Sequence, residues 1–307
     1  MELVLAEPRG FCAGVTRAID IVERALQLHG SPVYVFHEIV HNGHVVADLA
    51  RRGAIFVDDL EQIPRGAITV FSAHGVATRV VDHARARGLR VIDATCPLVA
   101  KVHQQVRGYA RRRFAIVVIG HAGHDEIEGT LGAVDEAMYL VSTVDDVERL
   151  VLPQADRVAY VTQTTLSPED TREIIEALER RFPGIEGPRF DDICYATHNR
   201  QQAVRKLVPE VDLVLVVGAR NSSNSSRLRE VAVAQGIPAY LIEHAGELCP
   251  DWLEGVSRVG LTAGASAPEY LVEEVRDRLK ALGAGHVRSL TGTRETVRFR
   301  LPSLLPA

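Results

Sequence analysis

The chain has 307 residues, of which 46% are apolar and 24% charged, and its formal net charge is −5. That length suits two or three structural units rather than one small core, and the composition is that of an ordinary soluble globular protein. The acidic balance argues against a nucleic-acid partner held by phosphate neutralisation, and no apolar run reaches even half of a membrane span.

In chain order, strand-like runs fall at 3–5, 33–36, 68–71, 91–92, 114–119, 158–162, 213–217, 239–242 and 259–262. Helical periodicity fills the intervals at 15–28, 44–52, 79–87, 99–112, 168–181, 200–208, 227–235 and 268–282. This alternation predicts βαβ units and parallel sheets, an α/β fold. Phe114–Ile119 and Leu213–Val217 are apolar throughout and read as strands buried on both faces. Ser167 is placed to cap a helix that starts at Pro168, and Phe182-Pro183-Gly184 ends it. Glu295–Leu301 alternates polar and apolar residues as an edge strand would. The first residues, MELVLAEPRG, lack the basic and apolar character of a leader. Only four cysteines occur, so a reducing cytoplasm is the expected compartment.

Three of those cysteines open similar stretches: Cys12 in GFCAGVTRAI, Cys96 in DATCPLVAKV and Cys194 in DDICYATHNR. A helix-like run, a strand and a polar motif follow each one. The first polar motif centres on His41 (HNGH), His124 (HAGHDE) and Ser222 (NSSNSS). A second closes a later strand at His74 (FSAHG), Thr164 (TQTTL) and Ser266 (TAGASAP). Self-similarity at a spacing of 84 and 98 residues between cysteines predicts three pseudo-repeated α/β lobes around a common centre. Divisions near the cysteines give lobes 1–95, 96–193 and 194–283 and a C-terminal strap 284–307.

A single free cysteine is ordinarily a small buried hydrophobe, and Cys249, which has no counterpart in the other repeats, is read that way. The shared register of Cys12, Cys96 and Cys194 points instead to a metal or cluster site. Each precedes a helix start, where the dipole favours a thiolate. Zinc prefers closely spaced cysteine pairs, and none exists here. Widely spaced single thiols suit an iron–sulfur cluster better, and three of them leave one iron of a cubane open as a Lewis acid.

His41, His74, His124, Ser222, Ser223, Asn224 and Ser266 together describe an anion site. Walker and G-x-G-x-x-G patterns are absent, so neither an ATPase nor a dinucleotide enzyme is supported. Any electrons must come from another protein, with flavodoxin or ferredoxin the expected class. Glu126 is the best-placed carboxyl. Its ordinary reading is a first-turn acid that complements the helix dipole; beside a buried anion it becomes a candidate proton donor. Thr164 and Thr165 can extend a hydroxyl relay from it.

These residues, with HEIVHN (37–42), ATCP (94–97), GHAGHDEIEG (120–129) and VVGARNSSNS (216–225), resemble the 4-hydroxy-3-methylbut-2-enyl diphosphate reductases of the non-mevalonate isoprenoid pathway. The resemblance runs through residues 9–270. It implies a trefoil of three lobes around a 4Fe–4S cluster held by Cys12, Cys96 and Cys194. It also implies a diphosphate pocket at His41, His74, His124, Ser222, Ser223, Asn224 and Ser266, with Glu126 as acid and Thr164 on the substrate side. The family's reaction is reductive dehydroxylation to isopentenyl and dimethylallyl diphosphate. A hydro-lyase with an open-iron cubane and a non-catalytic iron–sulfur sensor are the alternatives from other classes. Ala219-Arg220 departs from the family pattern before NSSN, and Arg220 keeps the expected charge.

Overall fold

The computed structural model describes residues 1–188 and 191–302. In chain order the elements are β1 (Glu2–Leu5), α1 (Ala13–His29), β2 (Val33–Phe36), α2 (Gly43–Arg51), β3 (Ala54–Val57), β4 (Ile68–Phe71), α3 (Thr78–Ala86), β5 (Arg90–Asp93), α4 (Pro97–Arg111), β6 (Ala115–Ile119) and α5 (Asp125–Leu131). They continue with β7 (Met138–Val141), α6 (Val144–Arg149), β8 (Val158–Thr162), α7 (Pro168–Arg181), α8 (Tyr195–Leu207), β9 (Leu213–Val217), α9 (Ser223–Ala234), β10 (Ala239–Ile242), β11 (Arg258–Ala263), α10 (Glu269–Ala281) and β12 (His286–Ser289). The strands form three sheets, in the orders β3-β2-β4-β5, β7-β6-β8 and β10-β9-β11-β1-β12. Every strand pairing is parallel. The α/β class and the three repeated lobes are therefore present.

Two compact units emerge from the contacts. One contains residues 1–15, 41–45 and 195–298, and its sheet is the five-stranded one. Strand alternation sorts its core. Leu3, Leu213, Leu215, Val217 and Leu261 pack with Leu271, Val275 and Leu279 of α10, while Val4, Val214 and Val216 pack with Val204 of α8 and Leu228 of α9. A sheet buried on both faces has this composition, Leu/Val with no polar alternation. The other unit contains residues 16–40, 46–194 and 299–307 and the two smaller sheets. There Val117 and Ile119 face α7, whereas Ile116 and Val118 face α4 and α5.

The sequence reading missed β3, β7 and β12, which lie at sheet edges and are only partly buried. It also missed α5 and α6, which are seven and six residues long, too short to show a helical stripe. Ser167 does cap α7 through its Oγ, which accepts from the Asp170 amide. Glu295–Leu301 forms no strand; the edge strand is β12, parallel to β1. β1 itself pairs with β11, so the N-terminal strand lies in the sheet of residues 213–289 and not with β2. No helix of the described residues is long and apolar enough to cross a membrane.

Candidate functional site

Each sheet reverses its direction of growth once. From β2 the chain goes outward to β3, then returns past β2 to β4; the same happens at β6 and β9. Such switch points open a crevice at the carboxyl ends of the two central strands, where doubly wound sheets bind ligands. The two polar motifs occupy these ends. His41, His124 and Ser222 lie five residues beyond β2, β6 and β9 and lead into α2, α5 and α9.

The cysteines are tied to the neighbouring strand ends. Each directly precedes a helix: Cys12 before α1, Cys96 as the N-cap of α4, Cys194 before α8. The Cys12 amide donates to Ala265 O at 3.2 Å, Cys96 to Ala73 O at 2.9 Å and Cys194 to Thr164 O at 3.0 Å. The acceptors stand two residues past β11, β4 and β8. Ala73, Thr164 and Ala265 are thus structural equivalents, which moves the register of the second motif by one residue in the middle lobe: Thr165, not Thr164, corresponds to His74 and Ser266. None of the four cysteines is in a disulfide and all are partly exposed, and Cys249 lies apart from these junctions, beside Trp252.

In the unit with the five-stranded sheet, Ser222 caps α9, and its Oγ accepts from the Ser225 amide at 3.3 Å. Asn224 is buried; its Oδ1 accepts from the Ala265 amide at 2.9 Å and its Nδ2 donates to Thr197 Oγ1. Ser266 Oγ donates to His41 O at 2.9 Å, and Asn42 Oδ1 accepts from the amides of His44 and Val45 at the start of α2. Ser223 is half-buried at the first position of α9. A Cβ at Gly264 would overlap the Ser225 hydroxyl, so glycine there lets α9 bring its N-terminus against the β11 loop. Arg220 is exposed and pairs with Glu247 at 3.0 Å.

In the other unit, the Glu126 carboxylate is 3% exposed and engages Thr164 twice. Oε1 accepts from the Thr164 amide at 2.6 Å and Oε2 from Thr164 Oγ1 at 2.9 Å. His124 caps α5, its Nδ1 accepting from the Glu126 amide at 3.1 Å, which fixes the neutral tautomer with hydrogen on Nε2. The His74 and His124 rings meet edge to face at 5.9 Å. His74 Nδ1 lies 3.7 Å from Asp125 Oδ2 and His37 Nδ1 lies 3.9 Å from Oδ1, so Asp125, which the sequence reading passed over, joins two imidazoles. Thr165 Oγ1 accepts from Gln163 Nε2 at 3.1 Å. A Cβ on Gly129 would stand 2.9 Å from Gly75 O, and this close approach sets α5 against the His74 loop.

The whole chain has close relatives. The LytB protein family matches residues 3–280. A relative from Acidithiobacillus ferrooxidans, called 4-hydroxy-3-methylbut-2-enyl diphosphate reductase, is 58% identical over 99% of this chain and 97% of its own. One of the same name from Bordetella pertussis is 60% identical over 98% and 93%. The solved E-1-hydroxy-2-methyl-but-2-enyl-4-diphosphate reductase of Plasmodium falciparum superposes with a TM-score of 0.95 at 39% identity, over 98% of this chain and 95% of that one. A second solved reductase, described as the terminal enzyme of the non-mevalonate pathway, gives 0.66 at 35% identity over 92% and 100%. With switch-point crevices, cysteine junctions and full-length relatives in agreement, the chain belongs to the LytB protein family.

Proposed function

We propose that the chain is a 4-hydroxy-3-methylbut-2-enyl diphosphate reductase. It removes the allylic hydroxyl of that diphosphate as water, consuming two electrons and two protons, and forms isopentenyl and dimethylallyl diphosphate. The observation that carries this reading is the Glu126–Thr164 contact. Thr164 receives the Cys194 amide on its carbonyl and gives its own amide and hydroxyl to Glu126, so one residue ties the buried acid to the backbone of the cysteine loop.

Cys12, Cys96 and Cys194 would hold a 4Fe–4S cluster. Partly exposed cysteines outside any disulfide can supply the soft sulfur donors such clusters need, and each stands at a helix start whose dipole favours anionic sulfur. The cluster supplies one-electron reduction together with Lewis acidity at the iron that has no protein ligand. A protein donor of the flavodoxin or ferredoxin kind supplies the electrons, and a reducing compartment such as the cytoplasm suits free thiols.

His41, His74, His124, Ser222, Ser223, Asn224 and Ser266 would bind the diphosphate. Their hydroxyl, amide and imidazole groups each stand at the start of α2, α5 or α9 or at the end of β4 or β11, and N–H groups at helix starts favour anions. As the acid, Glu126 would deliver a proton from Oε2 to Thr164 Oγ1, the hydroxyl turning from donor to acceptor, while the hydroxyl's own proton moves to the departing hydroxyl. Burial of both groups excludes water, which would otherwise protonate without selectivity.

The test is anaerobic turnover of the reconstituted chain with dithionite and the allylic diphosphate, followed by mass spectrometry of products. Both five-carbon diphosphates should appear only with reductant. Product without reductant would sink the reductase assignment in favour of a hydro-lyase.

A further inference from the structure

Five or six positions after each of the three cysteines stands a basic residue, on the helix that the cysteine precedes: Arg17 on α1, Lys101 on α4 and Arg200 on α8. Each reaches back to the loop that leads into a different cysteine. Arg17 Nη1 donates to Ala94 O at 3.1 Å and Thr95 O at 3.0 Å. Lys101 Nζ donates to Asp191 O at 2.9 Å and lies 3.3 Å from the buried Asp192 carboxylate. Arg200 donates to Gly10 O from Nε at 3.1 Å and Nη2 at 2.8 Å, and to Phe11 O at 3.3 Å. The order is cyclic along the chain. The helix after Cys12 serves the loop of Cys96, that after Cys96 the loop of Cys194, and that after Cys194 the loop of Cys12.

The peptide unit entering a cysteine is then held from both sides. Thr95 O faces Arg17 while the Cys96 N–H of the same peptide faces Ala73 O. Phe11 O faces Arg200 while the Cys12 N–H faces Ala265 O. With both ends fixed, that peptide cannot rotate, and the Cα–Cβ direction of the cysteine is set. For Cys194 the cation acts farther off: Lys101 grips Asp191, three residues upstream, and Thr164 O holds the entering peptide directly.

These cations are expensive. Arg17 is 9% exposed and Arg200 fully buried, and a guanidinium taken from water costs several kcal/mol unless hydrogen-bonded and balanced. Arg200 is balanced by Glu295 at 2.9 Å. Arg17 donates from Nε to Arg300 O at 2.9 Å. Burial lowers its pKa, and the charge of Asp93 works the other way.

We infer that Arg17, Lys101 and Arg200 are positioning residues that preset the three cysteine loops for cluster binding, Arg17 and Arg200 strongly and Lys101 weakly. This rests on the reading of Cys12, Cys96 and Cys194 as iron–sulfur ligands. Arg17→Lys keeps the charge but loses the fork that spans Ala94 O, Thr95 O and Arg300 O. Outer groups that orient ligands typically change metal affinity about 10–100-fold, so the anaerobic rate of cluster loss to an iron chelator should rise by about that factor in Arg17→Lys and Arg200→Lys. Lys101→Met should raise it by less than about tenfold, and Lys101→Arg should restore it. The melting temperature of the cluster-free Arg17→Lys and Lys101 variants should stay at the wild-type value. Chelation rates equal to wild type in Arg17→Lys and Arg200→Lys overturn the inference, as do rates that merely follow the cluster-free melting temperature. A wild-type chain that takes up no iron and sulfide on reconstitution overturns the cluster reading itself, and is told apart because no variant is needed to see it.

Discussion

Glu126→Gln separates the proton-donor role of this residue from a purely structural one. In the folded chain the carboxylate accepts two hydrogen bonds from Thr164, at 2.6 and 2.9 Å. Glutamine keeps the first acceptor and turns an amide N–H₂ toward Thr164 Oγ1, which can rotate to accept. The structural loss is thus the difference between charged and neutral hydrogen bonds, about 1 kcal/mol. For a chain of this size that lowers the melting temperature by only about 2–4 °C. The chemical loss is larger. A missing general acid lowers turnover about 10²–10⁴-fold, or roughly 2.7–5.5 kcal/mol of barrier. Single-turnover rates with dithionite, and thermal midpoints on the same anaerobic preparation, measure both. Cluster content and diphosphate affinity should match wild type. A Gln variant with near-wild-type single-turnover rate would remove Glu126 from the proton path, and a rate loss accompanied by loss of cluster would show that its role is to hold the Cys194 loop through Thr164.

Ser at Cys12, Cys96 or Cys194 should each abolish the charge-transfer absorption near about 400 nm, whereas Cys249→Ser should keep it; loss in the Cys249 variant would overturn the ligand set. Asn224→Ala removes the acceptor of the Ala265 amide and should weaken binding of inorganic diphosphate by about tenfold or more, one hydrogen bond to a charged group being worth about 1.5–3 kcal/mol; unchanged calorimetric affinity would remove Asn224 from the pocket. Burial, with Arg107 adding to it and Asp93 opposing, depresses His103 to about 4. The unfolded chain binds this proton first, so the stability contribution is complete above about pH 6.5 and is lost as pH falls toward 4, by up to about 3 kcal/mol. His103→Asn should flatten the denaturation midpoint over that range, and a profile identical to wild type would show that other groups set the acid limit.

The sequence made the central strands and long helices plain because they carry the strongest periodic signals. Phe114–Ile119 and Leu213–Val217 have no polar residue to confuse them, and α7 announces itself with Ser167-Pro168. Edge strands such as Ala54–Val57 and Met138–Val141 face solvent on part of their surface and resemble loops. Seven-residue α5 has three acids in its first turn, Asp125, Glu126 and Glu128, which reads as a turn until His124 is seen to cap it. In the site, the cysteines and polar motifs were legible because they repeat. Asp125 and Asn42 were not, since their parts depend on partners that only folding brings near. Arg17, Lys101 and Arg200 did carry a signal, an offset of five or six after each cysteine, but cations on helices are usually solvated and only their folded contacts distinguish them.

The repeat also bears on why the proposed proton donor stands in one lobe. Two residues after His41, His124 and Ser222 stand Gly43, Glu126 and Asn224. Two residues after β4, β8 and β11 stand Ala73, Thr164 and Ala265. In the last two lobes the same bond forms between these positions: Glu126 Oε1 accepts from the Thr164 amide and Asn224 Oδ1 from the Ala265 amide. Gly43 has no side chain to make it. The bond is therefore part of the scaffold, joining the start of a helix to the end of the neighbouring switch strand. Only the Glu126 version ends in a group that can carry a proton, and only there does the facing residue bear a hydroxyl. Asn224→Asp would give the third lobe a carboxyl at the matching position, facing Ala265, which has no hydroxyl to relay a proton. In a Glu126→Gln background it should leave turnover at the level of the single variant. Recovery of turnover in that double variant would mean that the Thr164 hydroxyl is dispensable and that a carboxyl in either lobe suffices.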